Sequence, residues 1–349
     1  MHAPLLPWQI DRPHQIAALG DLQLESGETL RDFHQSYVTH GSMDSAGTNV
    51  VLVCSAITGN HHRLDFLIGT GRALDPENCF IVAADPIGNG LSTSPSNSAA
   101  QPRMAFPRFT IRDMVNAQCR LLRERLGVRR IKAVVGASMG GMQALQWMVS
   151  APLPVDAAVV MTAAAKTSPW SVAVNEATRA CLMADPAWNG VEFTRRPERG
   201  WEAWFWTQRV LASRSPQSIE LAFEDAAALR SHVSAGLQLW QGTAFDAHDF
   251  LYQSWAYDAH DVRTTPGVEA GRDPLTGLSI PALFLAPPVD LYNPASGVRA
   301  AAAAMPHARF VGIPSAHGHQ STHAVDARDA QFLNREIRNF LALQSEPKA

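Results

Sequence analysis

Residues 134–142 read Val134-Val135-Gly136-Ala137-Ser138-Met139-Gly140-Gly141-Met142. The apolar run Ile131–Val135 leads into them and predicts a buried strand; Gly141-Met142-Gln143-Ala144-Leu145-Gln146-Trp147-Met148 follows and predicts a helix. Together they place Gly-x-Ser-x-Gly at a strand–turn–helix junction. Ser138 would then sit on a sharp, strained turn with its hydroxyl raised toward a pocket, and the flanking glycines leave room for the neighbouring strand and helix. The N-terminus of that helix aims unsatisfied N–H groups and a partial positive charge at any oxyanion formed there. This pattern marks Ser138 as a candidate nucleophile. The plainer alternative is a small-residue turn in an ordinary doubly wound sheet.

Further strand-length apolar runs lie at Val50–Cys54, Cys79–Ala84 and Ala157–Met161, and a helical pattern spans Ile111–Leu126. Strands alternating with helices predict a mostly parallel sheet with helices on both faces. The same alternation returns late, with strands at Pro281–Ala286 and Ala308–Ile313, helices at Pro294–Met305 and about Ala327–Leu343. Between about 165 and 275 strand-length runs vanish, and seven of the nine tryptophans fall there: Trp170, Trp188, Trp201, Trp204, Trp206, Trp240 and Trp255. The expected organisation is an α/β core, residues 1–165 and 275–349, with an inserted helical lid at 166–274. Most of the indole rings should fill the lid's own core, and one or two should wall the pocket.

A chain of 349 residues with 46% hydrophobic and 17% charged residues can bury a large core and is not disordered. The net charge of −3 without a dense basic run argues against nucleic acid or an acidic membrane surface as partner. Met1–Trp8 has neither a basic nor an apolar leader region, and no run approaches the roughly 18 apolar residues of a membrane span, so a soluble, cytoplasmic protein is expected. Cys54, Cys79, Cys119 and Cys181 are widely spaced and read as free thiols. His61-His62 and His317-Gly318-His319 with His323 do not have metal-ligand spacing, and no metal is expected.

A serine hydroxyl needs a base to become nucleophilic. Asp290 follows the strand Pro281–Ala286 and is the candidate acid that would hold an imidazole in its tautomer; a solvated turn is its plain alternative. After the next strand, both His317 and His319 are candidate bases, and Gly318 would let the loop turn tightly toward Ser138; His323 reads as the start of the last helix. The oxyanion donors expected are the N–H of Met139 and a backbone N–H of the loop Ser55–His62, with Ile57 chosen and Thr58 as the alternative.

The chain resembles the homoserine O-acetyltransferase family of α/β-hydrolase-fold enzymes from about Leu22 to the final helix. The resemblance is carried by Val51–His62, Phe109–Val115 and Val135–Trp147, with Ser138-Met139-Gly140-Gly141-Met142-Gln143 its most specific run, and by Asn175–Ala180, Ala184–Trp188 and Phe245–Ala247. It implies the α/β-hydrolase fold and Ser138, Asp290 and His319 as the triad. It also implies ping-pong transfer of acetyl from acetyl-CoA, a possible cosubstrate, through the serine to an alcohol, and a homodimer joined through the lid. Arg179 would meet the substrate carboxylate; a salt bridge to Glu176 is its alternative.

Departures from the family pattern concern the acceptor. The family's Asp after the catalytic histidine, which pairs with the homoserine ammonium, is Gln320 here. The family's tyrosine before Arg-Ser-Pro is Ser213, its histidine before Ala-Leu-Thr-Gly is Ser55, and its glycine-rich segment is Asp85–Gly90. A buried ammonium without its partner costs several kcal/mol. A transferase must also bind its alcohol well enough to outcompete water. Hydrolysis of small acetyl esters is therefore the leading expectation, with O-acetyl transfer to homoserine or another alcohol as alternative and a non-catalytic binding protein as a minor one. Arg120 with Arg123 and Arg125, Arg129-Arg130, and Arg195-Arg196 are weak candidates for coenzyme A phosphates; solvated helix faces explain them better.

Overall fold

The computed structural model describes residues 5–6, 8–241, 245–323 and 325–344. Eight strands form one sheet: β1 (Gln15–Gln23), β2 (Thr29–His40), β3 (Val50–Cys54), β4 (Phe80–Ala84), β5 (Ala133–Ala137), β6 (Ala158–Met161), β7 (Ala282–Ala286) and β8 (Ala308–Gly312). Their spatial order is β1-β2-β4-β3-β5-β6-β7-β8. β1 pairs antiparallel with β2, and β2 with β4. Every other pairing is parallel.

The inner strands read as continuous apolar runs because both sheet faces are covered. On β3, Val50, Leu52 and Cys54 point into one buried cluster, and Val51 and Val53 into the other. Nine helices of α or mixed α character cover the sheet or follow β6. They are α1 (Ile111–Arg120), α2 (Met139–Ser150), α3 (Pro169–Met183), α4 (Glu198–Trp204), α5 (Pro216–Ala222), α6 (Ala226–Gln241), α7 (Ala247–Asp258), α8 (Ala295–Ala304) and α9 (Ala327–Leu343), counted among the described residues. α1 begins at a reciprocal cap, in which Thr110 accepts from the Asp113 N–H and Asp113 accepts from the Thr110 N–H. None of these helices is long and apolar enough to cross a membrane.

The hairpin β1–β2 is the largest element not anticipated from the sequence. In β1 buried and exposed residues alternate, as expected for an antiparallel edge, whereas β2 is largely buried but carries polar residues such as Gln35, Ser36 and His40, so neither strand reads as an apolar run. His323 also differs from expectation. It ends the short 3₁₀ helix Gly318–Thr322, and α9 starts separately under its own cap, Asp326.

The chain leaves the sheet after β6 and returns at β7, its immediate neighbour. The intervening helices α3–α7 depart through a short antiparallel neck, in which Thr167 N–H donates to His260 O at 2.9 Å and Val262 N–H to Ala165 O at 2.9 Å. Trp201 and Trp204 are fully buried in this segment, edge to face at 5.2 Å, and Trp204 stacks on Trp240 at 5.4 Å. The indoles thus form the segment's own core, while Trp240 also reaches a cavity.

In the neck His260 is buried, and its Nε2 lies 3.2 Å from Ala164 O, a pure acceptor, so that nitrogen carries the proton. Burial lowers its pKa from the ordinary 6.5 to about 4. Between those values the unfolded chain binds the extra proton, so this contribution is complete above pH 6.5 and is lost as pH falls toward 4. The window corresponds to roughly 3 kcal/mol. Urea unfolding of the wild type between pH 7 and 4 should lose stability on that scale, and His260→Gln should flatten the slope across the same window.

Candidate active site

Strand β4 lies on one side of β3 and β5 on the other, so the chain reverses its direction of winding between β3 and β5. Loops leaving the C-terminal ends of two such strands part and form a crevice. Here they are Ser55–Asn60 after β3 and Ser138 after β5.

Ser138 has φ 56° and ψ −125°, outside the ordinary regions for a side-chain-bearing residue, and it precedes α2 directly. Its N–H is held by Met161 O at 2.9 Å. Three glycines permit this turn. A Cβ on Gly136 would lie 2.0 Å from Gly140 O, one on Gly140 2.2 Å from Cys54 O, and one on Gly141 2.6 Å from the Ala163 Cβ. Gln143 then ties the turn to the neighbouring loop, donating to Ser55 O at 2.9 Å and accepting from Gln118, which in turn accepts from the Trp147 indole.

Asp290 follows β7 with its carboxylate fully buried. One oxygen accepts the N–H groups of Tyr292 and Asn293 at 2.9 and 2.8 Å, and the other lies 2.8 Å from His319 Nδ1. A carboxylate only accepts, so Nδ1 carries the proton and Nε2 presents its lone pair. Gly318, with φ +61°, makes the turn before His319, and a Cβ there would press on Ser215 N at 2.9 Å. His317 is engaged elsewhere, by Ser218 Oγ at 3.0 Å and Asp326 at 3.3 Å. His319, not His317, therefore meets Asp290. Tyr292 packs edge-on against the His319 ring at 5.1 Å. Tyr292 also stacks on Tyr257, whose phenol lies beside Ser138. Ser138 Oγ itself is buried and closes no hydrogen bond among the described residues.

Met139 opens α2, so its N–H has no intrahelical acceptor. Of the two loop candidates, Thr58 has already given its N–H to Gln253 Oε1 at 3.1 Å, whereas Ile57 N–H has no acceptor among the described residues. Thr58 also has φ 58°, and its hydroxyl accepts from Arg209 at 3.3 Å. The loop is braced from below by buried Asp85, which takes the Ser36 hydroxyl, the Asn89 amide and both the N–H and Nδ1 of His61.

Arg179 reaches Asp258 at 2.6 Å, Glu176 at 2.8 Å and Ser254 Oγ at 3.0 Å, so acidic side chains from α3 and α7 occupy its guanidinium. Gln320 donates from its amide to Arg209 O at 3.3 Å. A cavity of about 600 Å³ opens beside the loop after β3, lined among others by Ile57, Thr58, Leu91, Arg209, Trp240 and Phe245; neither Arg179 nor Gln320 is in its wall. Arg209 and Arg63 are cations that no motif in the sequence announced. The clusters Arg120–Arg125 and Arg129-Arg130 lie elsewhere, with Arg120 on Glu124 and Arg130 on Asp156.

Metal-ligand groups also gather where spacing gave no warning. One ring nitrogen each of His14, His61 and His62 lies within 4.8 Å of the others. His61 and His62 each present Nδ1 to a buried carboxylate, Asp85 at 2.9 Å and Asp65 at 2.7 Å. Carboxylates in that position orient histidine ligands in metal centres, and they equally brace structural histidines.

A strained Gly-x-Ser-x-Gly turn in the crevice of a mostly parallel sheet, with an acid and a histidine after later strands, is the arrangement of an α/β-hydrolase-fold enzyme. Residues 49–324 match the model for the alpha/beta hydrolase fold. The chain belongs to that superfamily and, within it, to the homoserine O-acetyltransferase family with its esterase-like members. It is 34% identical over 346 residues to a homoserine O-acetyltransferase of Moorella thermoacetica, covering 86% of this chain and 89% of that protein. It is also 34% identical over 237 residues to a probable esterase of Corynebacterium glutamicum, covering 62% and 68%. The match to the homoserine O-acetyltransferase of Methanococcoides burtonii spans 50% of this chain and only 39% of that relative's length. An acetylester hydrolase structure from Corynebacterium glutamicum superposes with a TM-score of 0.87 at 26% identity, over 95% of this chain and 96% of that one.

The elbow packing is testable apart from any chemistry. Gly140→Ala drives a Cβ into a strand carbonyl that cannot step aside. It should lower unfolding free energy by about 3 kcal/mol, read from urea midpoints. Gly312→Ala, with open space around the added methyl, should stay within about 0.5 kcal/mol of wild type.

Proposed function

We propose that this protein is a serine acyl-enzyme that hydrolyses small esters, acetyl esters first among them. The observation that carries the reading is the buried Asp290–His319 pair, 2.8 Å apart, at the same edge of the sheet as the strained Ser138 turn. In this reading His319 Nε2 takes the Ser138 proton as Oγ attacks the ester carbonyl, and Asp290 holds the imidazolium that forms. The N–H groups of Met139 and Ile57 receive the oxyanion; one such donor is worth roughly 3–4 kcal/mol in the transition state. His319 then protonates the leaving alcohol. Water, deprotonated in turn by His319, releases the acid and restores the serine. Residues 166–274 serve as the lid over a core of 1–165 and 275–349, and a second copy would pack on the lid, where Leu211 and Leu221 stand exposed.

Acetyl transfer from acetyl-CoA to homoserine is the second reading, favoured by the near full-length likeness to the Moorella protein. Two observations favour water as acceptor. Gln320 supplies no charge for an ammonium, and Arg179, the residue expected at a substrate carboxylate, is held by Asp258 and Glu176. Without a site that orients an alcohol, the acyl-serine falls to water.

Purified protein should turn over p-nitrophenyl acetate faster than it acetylates homoserine from acetyl-CoA, and a large rate advantage for homoserine would reverse the assignment. Ser138→Ala should lower kcat/KM for the ester by about 10⁴-fold or more with an unchanged circular dichroism spectrum. Near-normal turnover by that variant would remove Ser138 from the mechanism.

A further inference from the structure

A second cavity, of about 320 Å³, shares Arg63, Arg209 and His323 with the larger one, and Arg214, His232 and Gln320 complete its polar wall. Among the described residues none of its three guanidiniums meets a carboxylate. Buried Arg63 donates to the carbonyl and hydroxyl of Thr322, Arg209 to the Thr58 hydroxyl at 3.3 Å, and Arg214 reaches Ser218 Oγ at 3.5 Å. Arginines elsewhere in the chain, such as Arg112, Arg179 and Arg263, close onto acids.

For Arg209 and Arg214 the other partners are ring faces. Arg209 lies 4.9 Å from the Trp240 centroid and Arg214 5.6 Å from that of Phe223. Such contacts support a guanidinium without neutralising it. Burial draws the Arg63 pKa down to about 9, with Arg209 adding repulsion, and draws that of Arg209 to about 10. The histidines bordering the cavity are kept neutral, His323 by burial and then by the three arginines and His319, and His232 by burial and then by Arg214. The wall is thus cationic with no internal counter-charge, an arrangement that is unfavourable until an anion enters.

We propose that this cavity is an anion subsite that receives a carboxylate carried by the ester substrate. The inference rests on the acyl-serine reading above and narrows it to a substrate class. The subsite is joined to the reaction centre at two points: Arg209 binds Thr58, the neighbour of Ile57, and Gln320 follows His319 directly. An acid at position 320 would neutralise the arginines; glutamine leaves their charge available. The guanidinium edges match a planar carboxylate, and their charge repels an ammonium group.

The test compares 4-acetoxybenzoate with its neutral isostere 4-acetoxybenzamide. Wild-type kcat/KM should favour the carboxylate at least tenfold, and that ratio should fall at least tenfold in Arg214→Gln. A wild-type ratio of one or less, or a ratio unchanged in the variant, overturns the proposal. If the variant does not fold, wild-type inhibition decides: benzoate should compete with p-nitrophenyl acetate at least tenfold better than benzamide, and equal competition overturns the subsite. If neither ester is cleaved, the acyl-serine reading fails by itself, and calorimetric titration with benzoate against benzamide still decides the subsite by the same tenfold criterion. Coenzyme A displacing benzoate at lower concentration than benzoate itself acts would assign the cavity to phosphates and overturn the ester-carboxylate assignment.

Discussion

Backbone meets backbone where α2 leaves β5. The space for a Cβ on Gly140 is already filled by the carbonyl of Cys54, and that on Gly136 by the carbonyl of Gly140. Helix and strands can therefore close to a distance that no side chain would allow, and the residue between them, Ser138, is forced to positive φ. This contact sets the height of the helix N-terminus over the sheet and with it the direction of the Met139 N–H. It also brings the first turn of α2 against the loop after β3, close enough for Gln143 to hold the Ser55 carbonyl. A looser turn would separate the serine from the loop that is its proposed partner in holding an oxyanion.

Polar networks carry this local geometry outward. Gln253 on α7 accepts from the Thr58 N–H and donates to Ile87 O, so a helix of the inserted segment braces both the loop after β3 and the one after β4. From the opposite side Arg179 holds Asp258, which accepts from Asn175, which accepts from the Tyr292 hydroxyl, and Tyr292 lies against His319. The ion pair on the helical segment is thus connected to the imidazole through a continuous series of buried contacts. Each member is satisfied, as a buried polar chain must be if it is to rigidify rather than destabilise.

The fold is shared by proteins named as esterases and as homoserine O-acetyltransferases, so what separates the two activities must lie in the residues around the elbow rather than in the elbow itself. Here that surround is cationic and apolar. Trp240, Phe245 and Leu91 wall the larger cavity, and Arg63 and Arg209 supply its charge. It lacks the acid that the family resemblance places after the histidine, and it turns the one expected carboxylate-binding arginine, Arg179, into a brace between α3 and α7.

The alternation of apolar runs with helical patterns was enough to define a parallel sheet covered on both faces, because periodicity and burial are local properties of consecutive residues. Gly-Ala-Ser-Met-Gly-Gly located the elbow for the same reason, since the steric demand of a sharp turn is met within six residues. The hairpin β1–β2 left no apolar run because β1 alternates between buried and exposed residues and β2, although largely buried, is interrupted by polar residues such as Gln35, Ser36 and His40. Family resemblance pointed to His319 over His317, and Ile57 was preferred to Thr58, but the physical reason lies in the tertiary structure: Asp290 arrives beside His319 and Gln253 takes the Thr58 N–H. The cluster of Arg63, Arg209 and Arg214 was likewise invisible, because Arg63 follows β3 while Arg209 and Arg214 lie about 150 residues further on, and like charges are brought together only when the chain closes around a shared cavity. Local sterics are written in neighbouring residues; the meeting of distant charges is decided by the folded path of the chain.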